Sequence, residues 1–405
     1  MSNTILTPTA VTREALRILH QKLNFIGSIN RQYDDSFAKS GAKIGNSLKI
    51  RLPNEYTVRT GATLNVQDTS ETSETLTVAT QKGVDMNFTS EELTMDLDDF
   101  SKRILDPAMS VLAANIEYDA MSMYKDVYNE ISDYGDTISL ADVLEASKVL
   151  TENLTPSSER YLNLNPRDQV SLVNSLSSLY NPNGNISAQF RDGEVADNFI
   201  GFRKVFSNTL WPVHTTGTEA GADTGANVNG ATQSGATIAV NGTVTGTFEQ
   251  GDIIMFEGCF EVHPETKQST GRLKQFVVTS DVSTSYSSIP ISPALTVSGA
   301  RQNASGYPTN GGAVYKQESD RSTAVAASAD STISMAYHKD AFTFATADLV
   351  MPKGVDFSAR EVMDGISLRV VRNYDINNDQ FPCRIDVLYG YKTIRPQLAC
   401  RLAFN

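Results

Sequence analysis

Residues 99–131, DFSKRILDPAMSVLAANIEYDAMSMYKDVYNEI, decide the reading of this chain. Leu105, Met109, Leu112, Ile116, Ala120, Met123, Val127 and Ile131 recur at steps of three or four, which places them on one helical face. An unbroken helix of that length spans roughly 45 Å, a strut that few single domains need. Pro107 has no N–H, so it either opens the main helix at its first position or kinks it. Tyr134-Gly135 follows as the expected stop.

Upstream of this strut the pattern changes to period two. SLKIRLP alternates Leu48, Ile50 and Leu52 against Lys49 and Arg51, and TLTVATQKGVDMNFT alternates again through Leu76, Val78, Val84, Met86 and Phe88. Between them lies a polar stretch, NEYTVRTGATLNVQDTSETSE. Residues 46–89 therefore read as a long extended hairpin with little core of its own, for which a partner chain supplies cover. Residues 1–45 read as an N-terminal arm, with Val11, Ala15, Ile18, Leu19 and Leu23 on a short amphipathic helix capped by Thr9 or Thr12. That helix packs on its own domain or on a neighbouring chain. Thr89-Ser-Glu-Glu92 matches a capping box leading into the helical region.

Downstream, Ser139–Asn153 is a second amphipathic helix and RYLNLNP a buried strand. Asn165-Pro-Arg-Asp168 caps another helix, broken at Asn181-Pro-Asn-Gly184, and FIGFRKVFSNTLWPV reads as a strand pair ending near Trp211. Residues 215–237 are rich in Gly, Thr and Ala and read as a flexible connection. Short alternating strands with turns at Asn241-Gly242 and Glu249-Gln-Gly-Asp252 then run to about Tyr315, an all-β barrel or sandwich inserted into a mixed domain. Helix–strand texture resumes over 319–405 and ends in CRIDVLYGYKTIRPQLACRLAF, interrupted at Arg395-Pro396.

With 405 residues, 40% apolar and 20% charged, the chain has the composition of a folded protein of one to three domains. A formal net charge of −13 disfavours a dedicated nucleic-acid-binding domain while allowing a surface that faces DNA without gripping it. No apolar run suits a membrane span or a signal core. Cys259, Cys383 and Cys400 are few, odd and far apart, which argues against a disulfide framework. In such a cytosolic-type composition the sequons at Asn87, Asn153 and Asn185 are chance matches.

Chemistry is sparse. No phosphate loop, nucleophile elbow, zinc helix, CxxC pair or dinucleotide fingerprint is present, and the glycine-rich stretch lacks the lysine and flanking elements of a phosphate cradle. His263 between Glu261 and Glu265 is a metal trio on paper, but the same pattern describes a solvated strand face. Asp96, Asp98 and Asp99 stand before a helix N-terminus, where the dipole favours acid. Cys259 lies in an apolar strand without an adjacent base. We expect no catalytic residues, no metal and no cofactor.

In order and spacing, SEELTMDLDDFSKRILDPAMSVLAANIEYDAM (90–121), YLNLNPRD (161–168), FIGFRKVFSNTLWPV (199–213), GDIIMFEGCFEV (251–262) and LYGYKTIRPQLACRLAF (388–404) resemble the major capsid proteins of tailed double-stranded-DNA bacteriophages. Their fold is named after phage Hong Kong 97, and the nearer likeness is to short-tailed-phage coat proteins with an inserted β-barrel. The resemblance implies an α+β fold with an arm (1–45), an extended hairpin loop (46–89) and a spine-helix peripheral domain (90–135, completed by part of 355–405). An axial domain (136–214, completed by 319–405) and the inserted barrel (215–318) make up the rest. It further implies a non-enzymatic shell subunit that assembles into hexamers and pentamers of an icosahedral head. Assembly would occur in the host cytoplasm, with a scaffolding protein and a portal as partners and a cement protein as an optional one. Packaged DNA would lie on the inner face without sequence-specific contact. No residues here identify the Lys–Asn pair that cross-links some relatives. Three other readings remain: a surface protein that binds carbohydrate or a receptor through 238–315, a hydrolase or isomerase with a β-rich substrate domain, and a cellular nanocompartment shell of the same fold.

Overall fold

A computed structural model describes residues 8–34, 47–64, 66–67, 71–89, 106–175, 200–219, 225–242, 246–316, 325–363, 365–378 and 380–405. The capping box at 89–92, the acids Asp96, Asp98 and Asp99, and the Asn181–Gly184 break lie largely or wholly outside them. The chain divides into two units, and its elements mix helices with antiparallel and parallel strands, an α+β composition.

The first unit comprises 1–52, 73–121 and 342–394. It opens with α1 (Pro8–Lys22), α2 (Phe25–Ser28) and β1 (Asn30–Asp34), followed by β2 (Ser47–Arg51), β3 (Ser73–Thr77), β4 (Thr80–Thr89) and α3 (Asp106–Met121). Helix α1 starts at Pro8, so Thr9 and Thr12 lie within it and do not cap it. Its apolar stripe, Ala15, Leu16, Ile18 and Leu19, is buried within its own unit, where the helix packs beside α3. The hairpin differs from expectation. Strands β2 and β3 pair in register, Leu48 opposite Leu76 and Ile50 opposite Glu74. Strand β4, the expected far arm, pairs elsewhere.

The long strut is shorter than its periodicity predicts. Helix α3 has 16 residues, about 24 Å of axial rise. A five-residue 3-10 helix follows at Ser122–Asp126, and Glu130–Asp133 is a strand. Met109, Leu112, Ile116, Ala120, Met123, Val127 and Ile131 are all buried, so the apolar spacing is real, but three kinds of element share it. A run buried on every side satisfies helical and strand spacing equally, and tertiary pairing arbitrates. Gly135 lies in a turn after that strand and stops no helix.

The second unit comprises 53–72, 122–341 and 395–405. It contains β5 (Glu130–Asp133), α4 (Leu140–Glu152), β6 (Arg160–Leu164), α5 (Pro166–Ser175), β7 (Lys204–Ser207) and β8 (Val213–Thr215). Asp142 accepts the Ser139 N–H at 2.8 Å and closes the start of α4. Strands β7 and β8 do not form the expected pair: β7 runs parallel to β6, and β8 joins a later strand. Next come β9 (Ala226–Val228), β10 (Gly235–Gly242), β11 (Ile253–Val262), β12 (Ser269–Val278), β13 (Ser288–Leu295) and β14 (Val314–Tyr315), and then β15 (Asp330–His338). The chain returns to the first unit for β16 (Phe342–Ala347), β17 (Phe357–Met363), β18 (Ile366–Arg372) and β19 (Gln380–Thr393), and ends on β20 (Ala399–Phe404) in the second.

Apart from the β2–β3 pair, three six-stranded sheets organise these strands. In the first unit the order is β1-β16-β19-β18-β17, with β4 pairing β19 from Thr80–Tyr389 to Thr89–Gln380. Gly390 is required there, since a Cβ would stand 2.1 Å from the Thr77 carbonyl oxygen. In the second unit a host sheet runs β5-β20-β15-β6-β7, with β8 on β15. Strand β6 is buried along its whole length, as a central strand covered on both faces must be.

Strands β9–β14 form their own six-stranded sheet, ordered β14-β11-β12-β13-β10-β9. Its two ends meet: Asn227 bridges Ala313, Val228 N donates to Gly312 O at 2.9 Å, and Gly311 N donates to Val228 O at 2.8 Å. Edge meeting edge removes exposed ladder groups. Alternate side chains, Ile238, Val240, Ile254, Phe256, Phe276, Val278, Ile289 and Ile291, fill the interior.

Candidate functional site

Residues 53–67 connect β2 towards β3 and carry Tyr56, Val58, Leu64 and Val66 at 59%, 94%, 76% and 76% exposure. Fully covering an aliphatic side chain of this size is worth about 1.5–3 kcal/mol, so this loop displays apolar surface that its own unit leaves uncovered. The loop nevertheless has a defined shape. Thr57 N and Oγ1 donate to Gln67 Oε1 at 2.8 and 3.0 Å, and Gln67 Nε2 donates back to Thr57 O at 2.6 Å. The Arg59 guanidinium reaches the carbonyls of Gly61 and Thr63 across the turn. At the far end, Arg301 Nη2 donates to Thr72 Oγ1 at 2.9 Å. The sequence shows a polar tip here; its apolar residues stand two apart in each limb, at 56/58 and 64/66, but pairs this short among Thr, Arg, Gly and Asn make no sustained alternation.

A second cluster sits where the chain passes from the host sheet into the inserted one. His214 on β8 and Asp252 in the turn before β11 are 4% and 0% exposed at their side chains. His214 Nε2 lies 3.0 Å from Asp252 Oδ1, and Tyr124 OH lies 3.1 Å from His214 Nδ1. The other carboxylate oxygen, Oδ2, accepts the N–H groups of Gly217 and Glu249, both at 3.0 Å. Lys316, just past β14, donates to the carbonyls of Gly217 and Glu219 at 2.8 Å each and comes within 3.9 Å of Asp252. Burial alone would raise the Asp252 carboxyl. The His214 hydrogen bond and the Lys316 charge outweigh it and hold the group below its usual value. Burial lowers the Lys316 ammonium against the pull of Asp252 and Glu219. Gly217 cannot be replaced cheaply: a Cβ would stand 2.1 Å from Thr247 O. The connection expected to be flexible is thus tied down on both sides of 220–224, the part outside the described residues. Composition alone shows glycine and threonine there, not the carboxylate that binds their backbone.

A third group joins β12 to the host sheet. Gln275 Oε1 accepts Glu130 N at 3.0 Å while its Nε2 donates to Glu130 O at 3.1 Å, imitating one rung of a strand pair. Arg272 pairs with Glu152 on α4 and with Glu261, and Lys274 lies 4.6 Å above the Tyr128 ring. Beneath them Arg401 and Glu130 form a sealed ion pair with side chains 0% and 2% exposed, on strands β20 and β5. The Glu130 charge raises Arg401 against the effect of burial.

The residues singled out for chemistry do not converge. Glu261 is neutralised by Arg272 and Lys274, and His263 Nδ1 accepts the N–H groups of Glu265 and Thr266. Cys259 is fully buried, which pushes its thiol up to about 12, and burial pushes Cys383 up to about 11. Asn153 closes the end of α4 by donating to Val149 O. Two cavities measure about 400 and 350 Å³. One is lined by Ser157, Glu159 and Arg203 and the other by Ala141, Glu145 and Arg272; neither holds the His214–Asp252 pair. Among the described residues no group of three or more potential ligands could hold a metal ion, and no helix is long and apolar enough to cross a membrane.

Residues 31–402 match the family described as P22 coat protein, gene protein 5. Nothing among curated proteins matches. A structure from Mycobacterium phage Che8 is 14% identical, with a TM-score of 0.47 over 95% of this chain and 91% of its own. The mature capsid of bacteriophage PhiM1 gives 12%, 0.45, 95% and 87%, and the capsid of cyanophage P-SCSP1u gives 10%, 0.44, 93% and 89%.

Proposed function

We propose, because this chain belongs to the P22 coat protein family, a way in which its residues build the shell. The chain is a major capsid protein: it forms the phage head shell and resides in the virion capsid. Its copies associate with one another. In our reading they close into hexamers and pentamers of an icosahedral head through repeated heterologous contacts. The fold is the Hong Kong 97-like one, with 1–45 as arm and, of the expected 46–89, the β2–β3 hairpin and its loop as the extended loop, β4 belonging to the first unit's sheet. Helix α3 serves as the spine of a peripheral domain and the host sheet belongs to the axial domain. Residues 215–318 are an inserted β-barrel, a reading supported by the meeting of β9 and β14.

One observation carries this reading: the loop 53–67 exposes four large apolar side chains yet is shaped by the Thr57–Gln67 clasp. A surface organised before contact loses less entropy on binding, so we assign this loop to a neighbouring copy. Many weak contacts of this kind, closed in a ring and then a shell, reinforce one another. The chain acts by contact and not by catalysis; its enclosed His214–Asp252 pair is occupied by Tyr124, Lys316 and the N–H groups of Gly217 and Glu249. A scaffolding protein and a portal are the further partners we assign, a cement protein an optional one, with DNA on the inner face held by no sequence-specific contact.

Electron microscopy and light scattering of the purified chain, alone and with a candidate scaffolding protein, test the reading. Closed shells or rings of five and six support it. A monomer that stays small at high concentration in both preparations rejects it.

A further inference from the structure

Two polypeptide crossings join the inserted sheet to its host, through 215–219 and beyond Lys316, and two crossings alone make a hinge. The structure closes that hinge twice. Asp252 gathers His214 from the host side, the Gly217 N–H from the ingoing strand and the Glu249 N–H from its own turn, while Lys316 of the outgoing strand binds the carbonyls of 217 and 219. At a separate place Gln275 on β12 pairs both backbone groups of Glu130 on β5.

We infer that these two clasps fix the direction in which the inserted sheet leaves its host sheet, and that Asp252 and Gln275 are positioning residues for shell closure. The inference rests on the capsid reading. A shell subunit must present each contact surface at a repeated angle, and an insert free to swing would spread that angle. The chemistry suits a lock. A buried carboxylate that ties His214 and Gly217 of the ingoing segment to Glu249 of its own turn, with Lys316 of the outgoing segment 3.9 Å away, holds only one arrangement, since losing any hydrogen-bond partner leaves a buried polar group unpaired. The amide of Gln275 is stringent in the same way, as it donates and accepts at fixed points of one peptide. Neither residue is needed to fill the apolar interior of either sheet, which is built from other side chains.

The test compares full-length Gln275→Leu, Asp252→Asn and the double variant with the unaltered chain. Thermal melting reports folding, hydrogen exchange at 213–217, 249–252 and 128–131 reports the clasps, and electron microscopy of assembled particles reports closure. Gln275→Leu is expected to melt near the parent, exchange faster at 128–131 and give a broadened diameter distribution with open or spiral particles. The double variant is expected to lose closed particles while its monomer still folds. Closed shells of parental diameter from Gln275→Leu and from the folded double variant overturn the inference. So does aggregation of all three before any particle forms, which places the clasps in folding alone. If the parent itself never assembles, the capsid reading has failed. Normal shells from both parent and variants sink only the positioning role.

Discussion

Gln67 and Thr57 clasp each other from opposite limbs of one loop: Gln67 Nε2 donates to Thr57 O at 2.6 Å, and its Oε1 accepts Thr57 N at 2.8 Å. The pair lies at the surface, so its loss costs little folding energy, on the order of 1 kcal/mol at most. Gln67→Ala is expected to melt as the parent does and to assemble more slowly, followed by light scattering. Val58→Asp, at a position 94% exposed, is expected to leave the monomer intact and stop assembly, because the charge would have to be buried at the contact. Parental assembly by Val58→Asp would remove this loop from the interface.

The Arg401–Glu130 pair predicts the opposite balance. Both side chains are sealed, so removing one leaves the other buried and uncompensated. Glu130→Gln or Arg401→Met should destabilise the second unit by about 3–5 kcal/mol, read as a lowered denaturation midpoint. Replacing both should cost less than either single change.

Asp168 in α5 is buried, which raises its carboxyl above the ordinary value despite hydrogen bonds from Ser334 and Thr332. A folded value above the unfolded one means that the native state holds its proton more tightly. Stability is then gained as the pH falls from neutral through the raised value towards 3.8. Melting of Asp168→Asn and the parent across pH 4–7 (roughly the range in which carboxyls titrate) should show the parent gaining on the variant as pH falls. The reverse slope would contradict the burial.

Two of the thiols are predicted to be inert. With Cys259 pushed up to about 12 and Cys383 up to about 11, native chain at mildly alkaline pH should take up iodoacetamide slowly, by mass spectrometry, and rapidly once unfolded.

Gly390→Ala sets a Cβ against the Thr77 carbonyl oxygen. The strand must shift, and we expect about 1–3 kcal/mol of destabilisation, measured by chemical denaturation.

Much of this architecture was legible in the residues. Alternation in TIAV, IIMF and FVV marked β10, β11 and β12, and the amphipathic spacing of 139–153 marked α4. The strut was misjudged for a definite reason. Met123, Val127 and Ile131 continue the spacing of α3 into a region buried on all sides, where the pattern stops distinguishing helix from strand. Likewise β4 looked like the second arm of a hairpin, since alternation identifies a strand and not its partner.

By itself the sequence determined local form and family: period-two strands, capped helices, and an order of segments that resembles coat proteins. Only the tertiary structure decided what those segments hold. That Asp252 binds His214, Gly217 and Glu249, that Gln275 reads the backbone of Glu130, and that Val58 and Leu64 stay uncovered depend on residues distant along the chain. Hydrogen bonds and burial are set by proximity in space, and periodicity along a chain carries no record of which distant segment arrives there.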